Sequence, residues 1–78
     1  MKSKVSWGIL GTGSIANIFA ESINESATSE LVAVASRKEN SAKKFAQKYN
    51  IGNYYGSYSE LLNAYDIDVV YIALPHNL

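Results

Sequence analysis

Val5-Ser6-Trp7-Gly8-Ile9-Leu10-Gly11-Thr12-Gly13-Ser14-Ile15-Ala16 is the stretch on which the fold turns. Its first half is a short apolar run closed by glycine, the pattern of a buried strand, and from Ser14 the apolar period changes to that of a helix. Between the two lies Gly11-Thr12-Gly13-Ser14-Ile15-Ala16, a G-x-G-x-x-A turn. The pattern alone is weak evidence. Its place between a strand and an amphipathic helix is where a dinucleotide-binding turn has to lie. Each small residue then has a physical reason to be there, since Gly11 makes the tight turn, Gly13 lets the backbone approach a pyrophosphate, and Ala16 allows close packing of helix on strand. N–H groups at the start of the helix, near Thr12, Ser14 and Ile15, would face the phosphates. The alternative is a glycine-rich turn that binds nothing.

Working outward, Ile15, Ile18, Phe19 and Ile23 recur at helical spacing and are expected to form the inner face, with Glu21, Asn24 and Glu25 outside. Leu31-Val32-Ala33-Val34-Ala35 is apolar without alternation, as a strand covered on both faces should be. A second helix is expected from Glu39 or Asn40, with Ala42, Phe45, Ala46 and Tyr49 inward and Lys43, Lys44, Gln47 and Lys48 outward, ending at Asn50 and Gly52. Asn53-Tyr54-Tyr55 reads as a short strand. Ser57 and Glu60 have the spacing of a capping box for a short helix through Leu61 and Leu62. Val69 to Leu74 is the most apolar run, stopped by Pro75, and reads as a central strand. This alternation, closed by right-handed crossovers, predicts the α/β class: a partial Rossmann fold with a parallel sheet ordered 3-2-1-4 and flanking helices.

With 78 residues the chain holds at most one compact unit, and 47% hydrophobic against 18% charged residues is a globular composition. A net charge of zero supplies no field to gather phosphates along a surface, which argues against a nucleic-acid or anionic-membrane partner. The six tyrosines are not interleaved with a basic stripe, and several of them read as packing residues. There is no cysteine, hence neither a disulfide framework nor a thiolate metal site, and no metal is expected. Neither a signal-peptide h-region nor a run of about 20 apolar residues is present, so the expected location is cytoplasmic.

Two further segments bear on binding. Where a dinucleotide site that prefers NAD places Asp or Glu at the end of its second strand, this chain has Ser36-Arg37-Lys38. A hydroxyl followed by two cations can hold a ribose 2′-phosphate by charge-assisted hydrogen bonds, so NADP is favoured and NAD remains open. The alternative is a pair of solvated charges at a helix start. Leu74-Pro75-His76 follows the last strand, at the point where the strand order reverses, and should flank the nicotinamide half. A lone His76 without a carboxylate partner is read as a cleft-lining or exposed residue rather than a general base.

Trp7 to Ala16, Val34 to Arg37, Tyr58 to Leu62 and Asp68 to His76, taken in order, resemble the N-terminus of the Gfo/Idh/MocA oxidoreductases, the glucose-fructose oxidoreductase and inositol dehydrogenase family. Within that family the likeness is greatest to the NADP-preferring, dihydrodiol dehydrogenase-type members. The resemblance covers essentially the whole chain. It implies a Rossmann domain followed by a second α/β domain that binds a sugar, polyol or related hydroxy compound. It also implies hydride transfer at a carbinol carbon, assisted by the lysine of a Glu-Lys-Pro motif beyond a fifth strand.

The chain ends at Leu78, before that lysine, and none of its own lysines matches the motif. Residues 1–78 are therefore expected to be the N-terminal part of an NAD(P)-binding domain, with the substrate domain absent and no catalytic residue. The parent is then an enzyme and this chain alone inactive. A non-enzymatic, truncated Rossmann module acting as a binding unit is the other reading. In either case the apolar strand 69–74 lacks an outer neighbour and is expected to pair two copies into a homo-oligomer.

Overall fold

The computed structural model describes residues 4–64 and 66–74. In chain order the elements are β1 (Val5–Leu10), α1 (Ser14–Asn24), β2 (Ser29–Ala35), α2 (Glu39–Tyr49), β3 (Asn53–Tyr55), α3 (Tyr58–Leu62) and β4 (Val69–Ile72). The four strands form one parallel sheet in the order β3-β2-β1-β4. β1 lies inside the sheet, and successive residues of it serve opposite faces. Ile9 joins the cluster under α1 and α2 that includes Ala16, Ala20, Val34 and Phe45, while Leu10 joins Ala33, Ala35 and Leu61 under α3. This two-sided burial explains why β1 and β2 lack polar alternation.

The β1–β2 register slips between Trp7, opposite Leu31, and Gly8, opposite Ala33, so Val32 is an extra residue in β2. The bulge lets Leu31 and Val34, three apart, both face α1 and α2. Asp68 sets where β4 starts. Its backbone N–H donates to the Ser6 carbonyl at 2.8 Å, and its carboxylate accepts the Ser6 N–H at 2.9 Å. Across β1 and β4 an aromatic group packs beneath α1, with Phe19 stacked on Tyr71 at 4.0 Å and edge-on to Trp7 at 5.2 Å.

The helix ends follow their residues. Asn50 adopts the left-handed conformation (φ 62°), and the N–H groups of Asn50 and Ile51 both donate to the Ala46 carbonyl, closing α2. Ser57 Oγ accepts the Glu60 N–H at 3.4 Å, but the Glu60 carboxylate bonds to the Ser57 hydroxyl at 3.1 Å instead of reaching back to the backbone. Half of a capping box is thus formed.

Two expectations are corrected. The inner face of α1 is Ala16, Phe19, Ala20 and Ile23, whereas Ile15 and Ile18 are 57% and 65% exposed. The observed stripe has the spacing i, i+3, i+4, i+7, one position on from the larger residues. α1 lies so close to the sheet that alanine is what fits, so residue size decided over hydrophobicity. The last strand ends at Ile72 rather than Leu74. The Ala73 N–H still donates to the Leu10 carbonyl, but Gly11 then turns β1 away (φ 109°) and no partner backbone continues.

Candidate functional site

At the carboxyl ends of β1, β2 and β4 a cavity of about 440 Å³ opens. The glycine turn forms one wall, the start of α2 another, and Tyr58 with Ala73 and Leu74 the rest.

Gly11 is wedged between the ends of two strands. Its N–H donates to the Ala35 carbonyl of β2 at 2.8 Å, and a Cβ built on it would lie 2.6 Å from the Ala73 carbonyl oxygen. With φ at 109°, both space and backbone conformation demand glycine. Gly13 differs. It is the N-cap of α1 in an extended conformation (φ −84°, ψ −162°), and nothing lies within 4 Å of where its Cβ would be. Space alone does not demand glycine there, and Gly13 is part of the cavity lining. No side chain caps α1. The first N–H groups of a helix have no intrahelical partner, so those of Ser14 and Ile15, which line the cavity, stay available to an anion. Ala16 is fully buried, which brings the helix start down onto the sheet.

The second wall is built by side chains. The Ser36 N–H is tied to the Tyr55 carbonyl at 3.1 Å, and its hydroxyl oxygen accepts the Lys38 N–H at 3.3 Å. The hydroxyl proton therefore remains free to donate. Arg37 and Lys38 are exposed and precede the first turn of α2, whose positive dipole end adds to their charge. Arg37 also borders a neighbouring groove with Glu39 and Glu60.

Of the residues expected from the sequence, Gly11, Thr12, Gly13, Ser14, Ile15, Ser36, Arg37, Lys38 and Leu74 line this one cavity. Pro75 and His76 lie outside the described residues. Tyr58 and Ala73 were not anticipated. Tyr58 is the first residue of α3, directly after its cap Ser57, and the capping-box spacing of Ser57 and Glu60 was the signal that could have located it. Ala73 gave no signal beyond its place beside Leu74.

None of the lining residues is a carboxylate. The arrangement offers backbone donors, a hydroxyl and two cations around one cavity, a set that suits a phosphorylated ligand. An extended dinucleotide fits it: the room beside Gly13 and the uncapped helix start suit a diphosphate, and Ser36 to Lys38 suit the adenosine end. Among the described residues no three His, Cys, Asp or Glu side chains cluster to hold a metal, and no helix is long and apolar enough to cross a membrane.

Comparison with known proteins gives concordant findings. Residues 5–78 match the model of an oxidoreductase family with an NAD-binding Rossmann fold. Over 72 residues, 90% of this chain, the sequence is 47% identical to trans-1,2-dihydrobenzene-1,2-diol dehydrogenase of Mus musculus, of which it covers 22%. Among solved structures, an NAD-binding oxidoreductase from Klebsiella pneumoniae superposes with a TM-score of 0.89 at 26% identity, over 95% of this chain and 22% of that one. A 3-ketoreductase from Actinomadura kijaniata, solved with TDP-benzene and NADP, superposes with a TM-score of 0.87 at 30% identity, over 92% of this chain and 22% of that one. The chain thus spans under a quarter of the length of these relatives.

Proposed function

Because the chain belongs to the Gfo/Idh/MocA oxidoreductase family, we propose that residues 1–78 form the N-terminal part of the cofactor domain of an enzyme that oxidises a CH–OH group of a dihydrodiol, polyol or sugar to the carbonyl, or reduces that carbonyl, with NADP preferred over NAD. One observation carries this reading: the glycine turn, the uncapped start of α1 and Ser36-Arg37-Lys38 converge on a single cavity. The names of the mouse relative and of the NADP-bound A. kijaniata enzyme support the substrate class and the cofactor.

The bound cofactor supplies or accepts the hydride. This chain's residues hold it in place. Ser14, Ile15 and the backbone of Thr12 and Gly13 receive the diphosphate, with the α1 dipole favouring its charge. Ser36 donates its hydroxyl proton to a 2′-phosphate, and Arg37 and Lys38 neutralise it. Leu74 flanks the path of the nicotinamide. No residue of this chain is assigned a proton-transfer role, and the isolated chain is inactive on this reading. Titration of the full-length protein with both cofactors tests it. Tighter NADP binding is expected, tighter NAD binding would overturn the Ser36–Lys38 assignment, and binding of neither would overturn the whole.

A second reading concerns the 78-residue chain alone. β4 is an edge strand whose Val69 and Ile72 are 38% and 67% exposed. An uncharged, β-branched edge of this kind templates another strand. The isolated chain is expected to form a two-fold dimer by antiparallel pairing of β4, which would occlude the nicotinamide side. Sedimentation at micromolar concentration checks this, and a well-folded monomer would refute it.

A further inference from the structure

Asn17 is placed where no binding motif puts a residue, and all its amide atoms are used. Its Nδ2 donates to the Gly13 carbonyl at 2.8 Å, alongside the helical N–H of Asn17 at 3.0 Å. Its Oδ1 accepts from Tyr49 Oη at 2.5 Å and from Lys48 Nζ at 3.0 Å, both at the end of α2. This orientation of the amide is the one that gives each atom a complementary partner, because a hydroxyl and an ammonium meet the oxygen and a carbonyl meets the nitrogen. The Lys48 ammonium is further held 5.2 Å above the Tyr49 ring, and Tyr49 is 9% exposed. The three side chains thus join the first turn of α1 to the last turn of α2.

The bond to Gly13 is the one with a consequence for binding. Its carbonyl and the Ser14 N–H belong to one planar peptide, so they point in opposite directions. Two donors on that carbonyl hold the peptide from behind and keep the Ser14 N–H turned toward the cavity. Gly13, with no side chain and open space around it, otherwise has the freedom to rotate this peptide. We propose that Asn17 is a positioning residue for the diphosphate subsite, braced by Tyr49 and Lys48, which fixes the Gly13–Ser14 peptide in its donating orientation. The proposal rests on the dinucleotide reading of the cavity. It assigns Asn17 no contact with the cofactor.

The experiment compares the full-length protein with Asn17→Ala, Tyr49→Phe and the double variant. Dissociation constants are measured for whichever of NADP and NAD binds more tightly and for adenosine, which lacks the diphosphate, together with the melting temperature. Asn17→Ala is expected to weaken dinucleotide binding about tenfold and leave adenosine unchanged. Tyr49→Phe should weaken the dinucleotide about two- to threefold by itself and have no effect in the Asn17→Ala background, since it acts through Asn17. Equal losses for adenosine and dinucleotide, tracking the melting temperature, would show a purely structural staple and overturn the proposal. So would unchanged dinucleotide binding in Asn17→Ala, or additive effects in the double variant. A wild-type protein that binds neither dinucleotide would instead overturn the functional reading on which the proposal stands.

Discussion

The turn from Gly11 to Ile15 and the stretch from Ser36 to Lys38 line one cavity, yet they are built differently. In the turn, backbone does the work. Gly11 is held between β2 and the end of β4 in a conformation that excludes a side chain, and the helix start presents N–H groups whose direction the fold determines. In the second stretch, side chains do the work. Arg37 and Lys38 are exposed, and their effect depends on charge in water. The turn should therefore set whether a dinucleotide binds, and the second stretch which one.

Substitutions can break that division. Gly11→Ala should have the largest effect, because the new methyl group meets the Ala73 carbonyl and φ is unfavourable. A loss of about 2 to 4 kcal/mol is expected, read as a lowered urea midpoint, with cofactor binding lost alongside. Arg37→Asp exchanges attraction of a 2′-phosphate for repulsion. The ratio of NADP to NAD affinity should fall about 100-fold with the melting temperature unchanged, and an unaltered ratio in paired titrations would remove Arg37 from the site. Gly13→Ala sharpens the comparison with Gly11. Here the fold has room for a methyl group, so stability should change by no more than about 0.5 kcal/mol, while both cofactors bind about tenfold more weakly. Glu60→Gln should have the smallest effect. Removing one acid from the groove that Arg37 borders should shift the ratio about twofold toward NADP, within the range of an exposed charge interaction.

How far the sequence could be read follows the same division. The G-x-G-x-x-A turn, the order of elements and the ends of β1, α2 and β3 were legible because they rest on local chemistry: glycine where the backbone turns sharply, Asn50 where a helix closes, apolar runs where both faces of a strand are covered. The α1 face was misread because its period fits two adjacent stripes. Hydrophobicity favoured Ile15 and Ile18, and only the distance between helix and sheet selects Ala16 and Ala20. The bulge at Val32 was equally hidden, since an uninterrupted apolar run looks the same with or without an extra residue.

The sequence by itself determined the class of fold, the place of the glycine turn and the absence of an acid at Ser36-Arg37-Lys38, because each is written in residues adjacent along the chain. Tertiary structure decided the rest. It brought Tyr58 and Ala73 to the cavity and put Asn17 against Tyr49, 32 positions away. It also made glycine obligatory at Gly11 and optional at Gly13. Such contacts depend on how closely α1 and α2 pack on the sheet, and that distance is set by side-chain volumes from separate elements meeting in one core.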